Sequence, residues 1–476
     1  MVSQDELNAK LKYHYGGCVV NKKLSQRQEI TRLPRFVSEF LLTKLSEYED
    51  DQEKFSQELT KIIEFIEEHY PEPRDKDKIL NKLLEQQSYV LIDEFRVEVD
   101  IKNGIKKAHI PSLNIRDAMI LDSILKENEN LLSTGIWGLG VLRYAKPIVD
   151  DFGNKLTSPV LIENFKPFQA PNVNLKEFAE KREQFSLEEW IDVLINTIGL
   201  NPEVFNERQK LILISRFVPI VEPNAHLMEF GPRASGKTYF YRNISSYTRI
   251  ISGGRVSPAV LFYNIATRTL GEIGIKDCIV FDEVSKIGFA NADEMMGKLK
   301  DFMESGHFER GPKKATSLCS LVFMGNIDVK GFVPVEDFTY VLPEFMRDSA
   351  FIDRISGLVP GWELPKIKKP EIHLSQNYGF STDYFSELLH ELRRRDFQTE
   401  LTRKISLENV TIRDYRGIFK LLSGMIKVLF PHRKFSDDEL RKVLNLCIEY
   451  RQSIAEWLHK LAPGEFERKT ISYQLS

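Results

Sequence analysis

Residues Gly231-Pro232-Arg233-Ala234-Ser235-Gly236-Lys237-Thr238 form a complete G-x-x-x-x-G-K-[ST] phosphate loop, and no other feature of the 476-residue chain restricts its fold as far. The apolar run from His226 to Phe230 precedes the loop and a helix-compatible stretch follows from Thr238, the strand–loop–helix context such a loop requires. Chemistry explains the spacing. Glycines let backbone N–H groups curl around a β-phosphate, the Lys237 ammonium meets β and γ oxygens, and the Thr238 hydroxyl reaches Mg2+ at a helix N-terminus. ATP and Mg2+ are the expected ligands.

Strand and helix signals alternate from this loop to about Trp362, predicting an α/β core with a parallel sheet. The run Cys278-Ile279-Val280-Phe281 ends in Asp282-Glu283, and a carboxylate at the carboxyl end of such a strand faces the ligand crevice. Asp282 is expected in the Mg2+ shell and Glu283 as the base that orients and deprotonates the attacking water. A third strand, Ser320 to Gly325, ends in Asn326, placed to contact the γ-phosphate or that water, with a turn asparagine as the plainer reading. Arg354 precedes a last strand, Gly357 to Pro360, from where it could reach a γ-phosphate held by a neighbouring subunit; a surface pair with Asp353 is the alternative. Thr411-Ile412-Arg413-Asp414-Tyr415-Arg416 opens a helix, so that Arg413 or Arg416 could close a lid on the nucleotide of the same subunit.

Before the core the pattern differs. Apolar residues recur at helical spacing between Ser25 and Tyr70, and from Tyr89 to Phe168 the period changes to two. Asn103-Gly104 supplies a tight turn between Phe95–Ile101 and Ile105–Ile110, and Asp150 to Asn154 supplies another, which predicts a small sheet or an oligonucleotide-binding type of barrel. Lys102, Lys106 and Lys107 crowd the first turn, either as soluble edge lysines or as phosphate contacts. The expected division is 1–87 helical, 88–170 β-rich and a candidate DNA-binding domain, 171–205 a helical collar, 206–364 the ATPase core, and 365–476 a helical lid and tail.

The motifs GPRASGKT, IVFDE, VFMGN, FIDR and TIRDYR, in this order, resemble the AAA+ ATPases of the MCM-like branch. The start LKYHYGGCVVNKKL, the collar FSLEEWIDVLINTIGLNPEVFNERQKLILISRFVPIVE, IISGGRVSPAVLF and DSAFIDRISGLVPGWE resemble the BrxL family of BREX phage-defence systems across nearly the whole chain. This resemblance implies a ring, commonly a hexamer, in which Lys237, Thr238, Asp282, Glu283, Asn326 and Arg413 act in one subunit and Arg354 acts in trans. That family usually carries a Lon-protease-like domain after the lid, and no segment here resembles the Lon serine motif; peptidase activity is not expected from this chain.

Between the second and third motif strands, Ser305 to Ser317 carries Gly311-Pro312-Lys313-Lys314 between extended segments, the pattern of a hairpin. In the resembling branch an equivalent hairpin projects basic residues into the ring channel, which would give Lys313 and Lys314 to DNA, with Arg310 a weaker contact beside Glu309. A solvated turn is the plainer reading. The net charge of −3 and pI near 6.4 exclude a generally basic nucleic-acid coat, so a polyanion would be held by local basic features such as these. A protein unfoldase is the competing class, but Phe262 and Tyr263, where a gripping loop would sit, read as core. A scaffold without turnover has no use for the Asp282-Glu283 pair. The expected function is thus an ATP-hydrolysing ring motor that encircles double-stranded DNA, as a hexamer or stacked double ring, with other BREX components as further partners. Four scattered cysteines and the lack of a signal or spanning segment predict a cytoplasmic protein without membrane contact.

Overall fold

A computed structural model describes residues 3–27, 30, 32–48, 51–101, 104–132, 135–148, 157–168 and 173–475. Two compact units share the chain: Met1–Lys23 with Val173–Phe380 and Phe385–Ser476, and Leu24–Asn172 with Ser381–Tyr384. The sequence reading drew five segments. The first residues join the ATPase unit because helix α1 (Gln4–Tyr15) buries Tyr15 against Phe178, Trp190 and Phe380, and Val19–Asn21 pairs antiparallel with Tyr378–Phe380.

In the smaller unit, helices α2 (Arg35–Thr43), α3 (Gln52–His69) and α4 (Lys76–Gln86) precede a closed barrel of β1 (Ser88–Asp100), β2 (Ile105–Ile110), β3 (Ile115–Ile120), β4 (Ile136–Tyr144) and β5 (Val160–Pro167). The order around it is β1-β2-β3-β5-β4, and the parallel β3–β5 pair closes it. Phe95 and Phe165 meet edge to face at 5.3 Å in its core. Glycine in β4 makes room for them, since a Cβ at Gly138 would stand 2.4 Å from the Phe165 ring and one at Gly140 2.4 Å from the Phe95 ring. Strand β3 was not expected; Arg116-Asp117 interrupts its apolar alternation. Asn103 and the second predicted turn, Asp150 to Asn154, lie outside the described residues, as does Lys102.

The larger unit contains the α/β core. Helices α5 (Leu187–Ile198) and α6 (Glu207–Ser215) lead into β6 (Leu227–Gly231), α7 (Lys237–Asn243), β7 (Thr248–Val256), β8 (Cys278–Phe289), α8 (Ala292–Ser305), the hairpin β9 (His307–Arg310) and β10 (Lys313–Thr316), β11 (Ser320–Asn326) and β12 (Gly357–Pro360). All neighbours in the sheet β12-β6-β11-β8-β7 are parallel. Its central strands are apolar without alternation because both faces are covered. Met295, Leu299 and Phe302 of α8 share one core with Phe281 and Phe323, together with Ile454 and Trp457 of α10 (Asp437–Leu461). Helix α9 (Ile412–Leu429) precedes α10 and opens with a capping box between Thr411 and Asp414. Among the described residues no helix is long and apolar enough to cross a membrane.

Candidate functional site

Strand β6 delivers the chain into the phosphate loop at its carboxyl end, and β8 and β11, parallel to it, deliver Asp282 and Asn326 to the same edge. The loop turns through Ala234 at φ 65 and Gly236 at φ 78, left-handed positions that aim successive backbone N–H groups into one concavity. Close packing fixes its base: a Cβ at Gly231 would stand 2.5 Å from the Gly361 carbonyl carbon. Behind it, Arg216 donates to Glu229 at 2.6 and 3.1 Å and to the Ser235 carbonyl at 3.2 Å, in a fully buried pair.

Lys237 Nζ donates to the carbonyls of Gly231 and Pro232, each at 2.9 Å, and lies 3.3 Å from both Ser235 Oγ and Asn326 Oδ1. Burial lowers its pKa to about 8. Thr238 Oγ1 donates to Asp282 Oδ2 at 2.8 Å. These two oxygens form a hard-donor pair of the kind Mg2+ takes alongside phosphate and water, so the residues fit that ion. Arg233 is exposed at the loop.

Glu283 follows Asp282 on β8 with φ 49, a left-handed position that marks a strained backbone at the site edge. Its carboxylate accepts from Lys286 at 2.9 Å, which lowers its pKa. The strand does not end there as expected; after an irregularity between Asp282 and Ile287 it continues to Phe289 along β7.

The arginines are elsewhere. β12 runs parallel to β6 with Gly357 opposite Leu227, so Arg354 stands at the amino edge of the sheet, a four-residue strand or roughly 13 Å from the edge that carries the loop. Arg354 Nε donates to the Lys300 carbonyl at 2.8 Å and Nη1 to that of Ala350 at 2.6 Å. Its predicted alternative partner Asp353 instead binds Arg413 Nη1 at 2.6 Å and Arg451 Nη2 at 2.8 Å. Arg413 and Arg416 face Glu304 at 2.9 and 3.5 Å, and these groups line one small pocket with Arg354 and Lys420. The sequence expectation set Arg413 over its own subunit's nucleotide; its guanidinium is held by Asp353 and Glu304 instead. Helix α9 docks on the residues ahead of β12, where a Cβ at Gly417 would stand 3.1 Å from the Ser356 oxygen, and this fixes Arg413 and Arg416 at the amino edge.

The predicted hairpin is β9–β10, with Arg310 opposite Lys313 and Gly311 at φ 56 at the first turn position. Its lysines face opposite ways: Lys313 shares the half-buried face of Phe308 and Ala315, while Lys314 is exposed and pairs with Glu309 at 3.2 Å. Arg310 is a brace, since it donates to the Tyr263 carbonyl. That carbonyl belongs to a second short hairpin, Tyr263–Asn264 with Thr269–Leu270, whose exposed Ile265 lies against Gly311, where a Cβ would stand 3.0 Å from its side chain. Phe262 and Tyr263 are buried as expected. On the barrel, Lys106 pairs with Asp122 at 2.6 Å and Lys107 with Asp100 at 3.3 Å, which leaves them partly neutralised.

Residues 160–472 match the family described as "Lon-like protease BrxL-like, ATPase domain", and residues 13–144 match "BREX system Lon protease-like protein BrxL N-terminal". The chain is 36% identical over 474 residues to the Lon-like protease BrxL of Bacillus cereus (strain H3081.97), covering 98% of this chain and 69% of that protein. It is 34% identical over 472 residues to the Lon-like protease BrxL of Escherichia coli O9:H4 (strain HS), covering 98% and 67%.

Proposed function

The chain belongs to the BrxL family of BREX systems, and from that membership we propose that it is an Mg-ATP-driven ring motor that encircles and translocates along double-stranded DNA in phage defence. One observation carries the reading: the phosphate loop and the arginine cluster occupy opposite edges of one sheet. The loop edge carries the phosphate loop and Glu283, and the cluster of Arg354, Arg413 and Arg416 stands at the other. A head-to-tail contact between copies brings the two edges together, and a repeated head-to-tail contact closes into a ring, here a hexamer or a stacked pair of hexamers.

In each site Lys237 and the loop N–H groups hold the phosphates, Thr238 and Asp282 would hold Mg2+, and Asn326 orients the γ-phosphate or the water. Bound Mg2+ supplies neutralisation of charge on the phosphoryl oxygens. Glu283 takes the water proton once it releases Lys286. Arg354, with Arg413 and Arg416, comes from the next copy to meet the charge that develops on the transferred group.

DNA is assigned to the hairpin edge, through Lys313 and Lys314, repeated around the ring. The barrel supports the same substrate, because its strand order with one parallel closing pair is that of oligonucleotide-binding barrels. The name of the relatives, Lon-like protease, favours a second reading in which polypeptide is the cargo. Hydrolysis measured with double-stranded DNA and, separately, with an unfolded protein separates the two. Acceleration by DNA supports the motor; acceleration by the unfolded chain alone makes it an unfoldase.

A further inference from the structure

The C-terminal end of α8 holds the arginines and at the same time starts the hairpin. Its Lys300 carbonyl accepts from Arg354, and its Glu304 carboxylate accepts from Arg413 Nε at 3.0 Å. The same carboxylate lies 3.5 Å from Arg354 Nε and 3.5 Å from Arg416 Nη1. One acid thus serves three arginines. Directly after the helix, Gly306 turns left-handed at φ 74 and His307 begins β9. The hairpin's return end is tied to that point: the Ser317 N–H donates to the Gly306 carbonyl at 2.8 Å, and Asn224 Nδ2 donates to the Ser317 carbonyl at 3.1 Å. A Cβ at Gly306 would stand 3.0 Å from the Ser317 oxygen, so the junction has little slack.

We propose that Glu304 is a positioning residue that hands its arginines to the nucleotide of a neighbouring copy and, through the last turn of α8, passes that exchange to the hairpin. The proposal rests on the motor reading above. A polyphosphate offers each guanidinium more charge and a two-pronged acceptor, where Glu304 offers one carboxylate divided among three. As the arginines turn to phosphate, Glu304 loses the partners that hold its turn, and the turn continues into the clamped base of the hairpin. The coupling runs both ways, so DNA on the hairpin changes how firmly Glu304 holds the arginines.

The test is the affinity of the intact chain for double-stranded DNA, measured with a slowly hydrolysed ATP analogue and with ADP. The parent is expected to show a ratio of at least about fivefold between the two nucleotides. In Glu304→Gln the ratio falls below about twofold, and in Glu304→Asp, which keeps the charge, it stays above that level. Retained nucleotide binding checks folding in both variants. A glutamate that only supported the fold would weaken binding in both nucleotide states and leave the ratio in place. A parental ratio in Glu304→Gln, or equal loss in both variants, overturns the proposal while the motor reading stands. A parent that does not bind DNA overturns both.

Discussion

Lys237 shows how a motif residue acquires properties that its spacing does not disclose. The ammonium is held by carbonyls in a buried place, and burial lowers its pKa to about 8. Phosphate favours the charged form. ATP affinity is therefore expected to be flat below about pH 8 and to fall by up to tenfold per pH unit above it, because binding must then take up a proton. Calorimetry in buffers of different ionisation enthalpy checks the sign: proton uptake on binding above that pH and none well below it. Glu283→Gln should still bind ATP while losing about a hundredfold or more in hydrolysis, the typical worth of a positioned base; full turnover in that variant would remove Glu283 from the role. Behind the loop, Arg216→Met leaves the buried Glu229 carboxylate unpaired and should cost about 3–5 kcal/mol, read from the urea-unfolding midpoint of the nucleotide-free chain. Lys237, Thr238, Asp282 and Asn326 were legible because motif and strand ends fix their places. Glu304 was not, since a carboxylate in a last helical turn leaves no pattern.

At the scale of elements, the hairpin β9–β10 was read from Gly311-Pro312, whose turn geometry is local. The Tyr263 carbonyl that takes Arg310 is not local. Alternation puts Lys313 and Lys314 on opposite faces, and Glu309 and Tyr263 occupy Lys314 and Arg310. Lys313→Ala/Lys314→Ala should weaken DNA binding and lower the slope of log affinity against log salt by about 0.9 for each DNA phosphate that is no longer neutralised. Lys106→Ala/Lys107→Ala, which removes lysines already paired with Asp122 and Asp100, should change that slope less. Strand β3 is as distant from its partner as Arg310 is from Tyr263: its parallel neighbour β5 lies some forty residues on, and only that neighbour makes it part of a closed barrel.

For the whole molecule, the order of motifs predicted the parallel core, and β12-β6-β11-β8-β7 is the sheet it produces. The division into units was less legible. Composition and periodicity separate stretches of sequence, whereas Tyr15 joins the ATPase unit by packing against Phe380, a pairing far apart in the chain. Arg413 follows the same rule. Its motif suggested a lid on its own nucleotide, and the docking of α9 at Gly417 and Ser356 carries it to the opposite edge instead. Each site is thus expected to need a second copy for turnover, and mixing tests it. One chain carries Arg354→Ala with an intact phosphate loop; the other carries Lys237→Ala with intact arginines. Each alone should hydrolyse ATP at a small fraction of the parental rate, and an equal mixture should recover activity towards about a quarter of it, the share of interfaces that pair two intact halves at random. A mixture no more active than its parts, or parental turnover by the Arg354→Ala chain alone, would contradict the account.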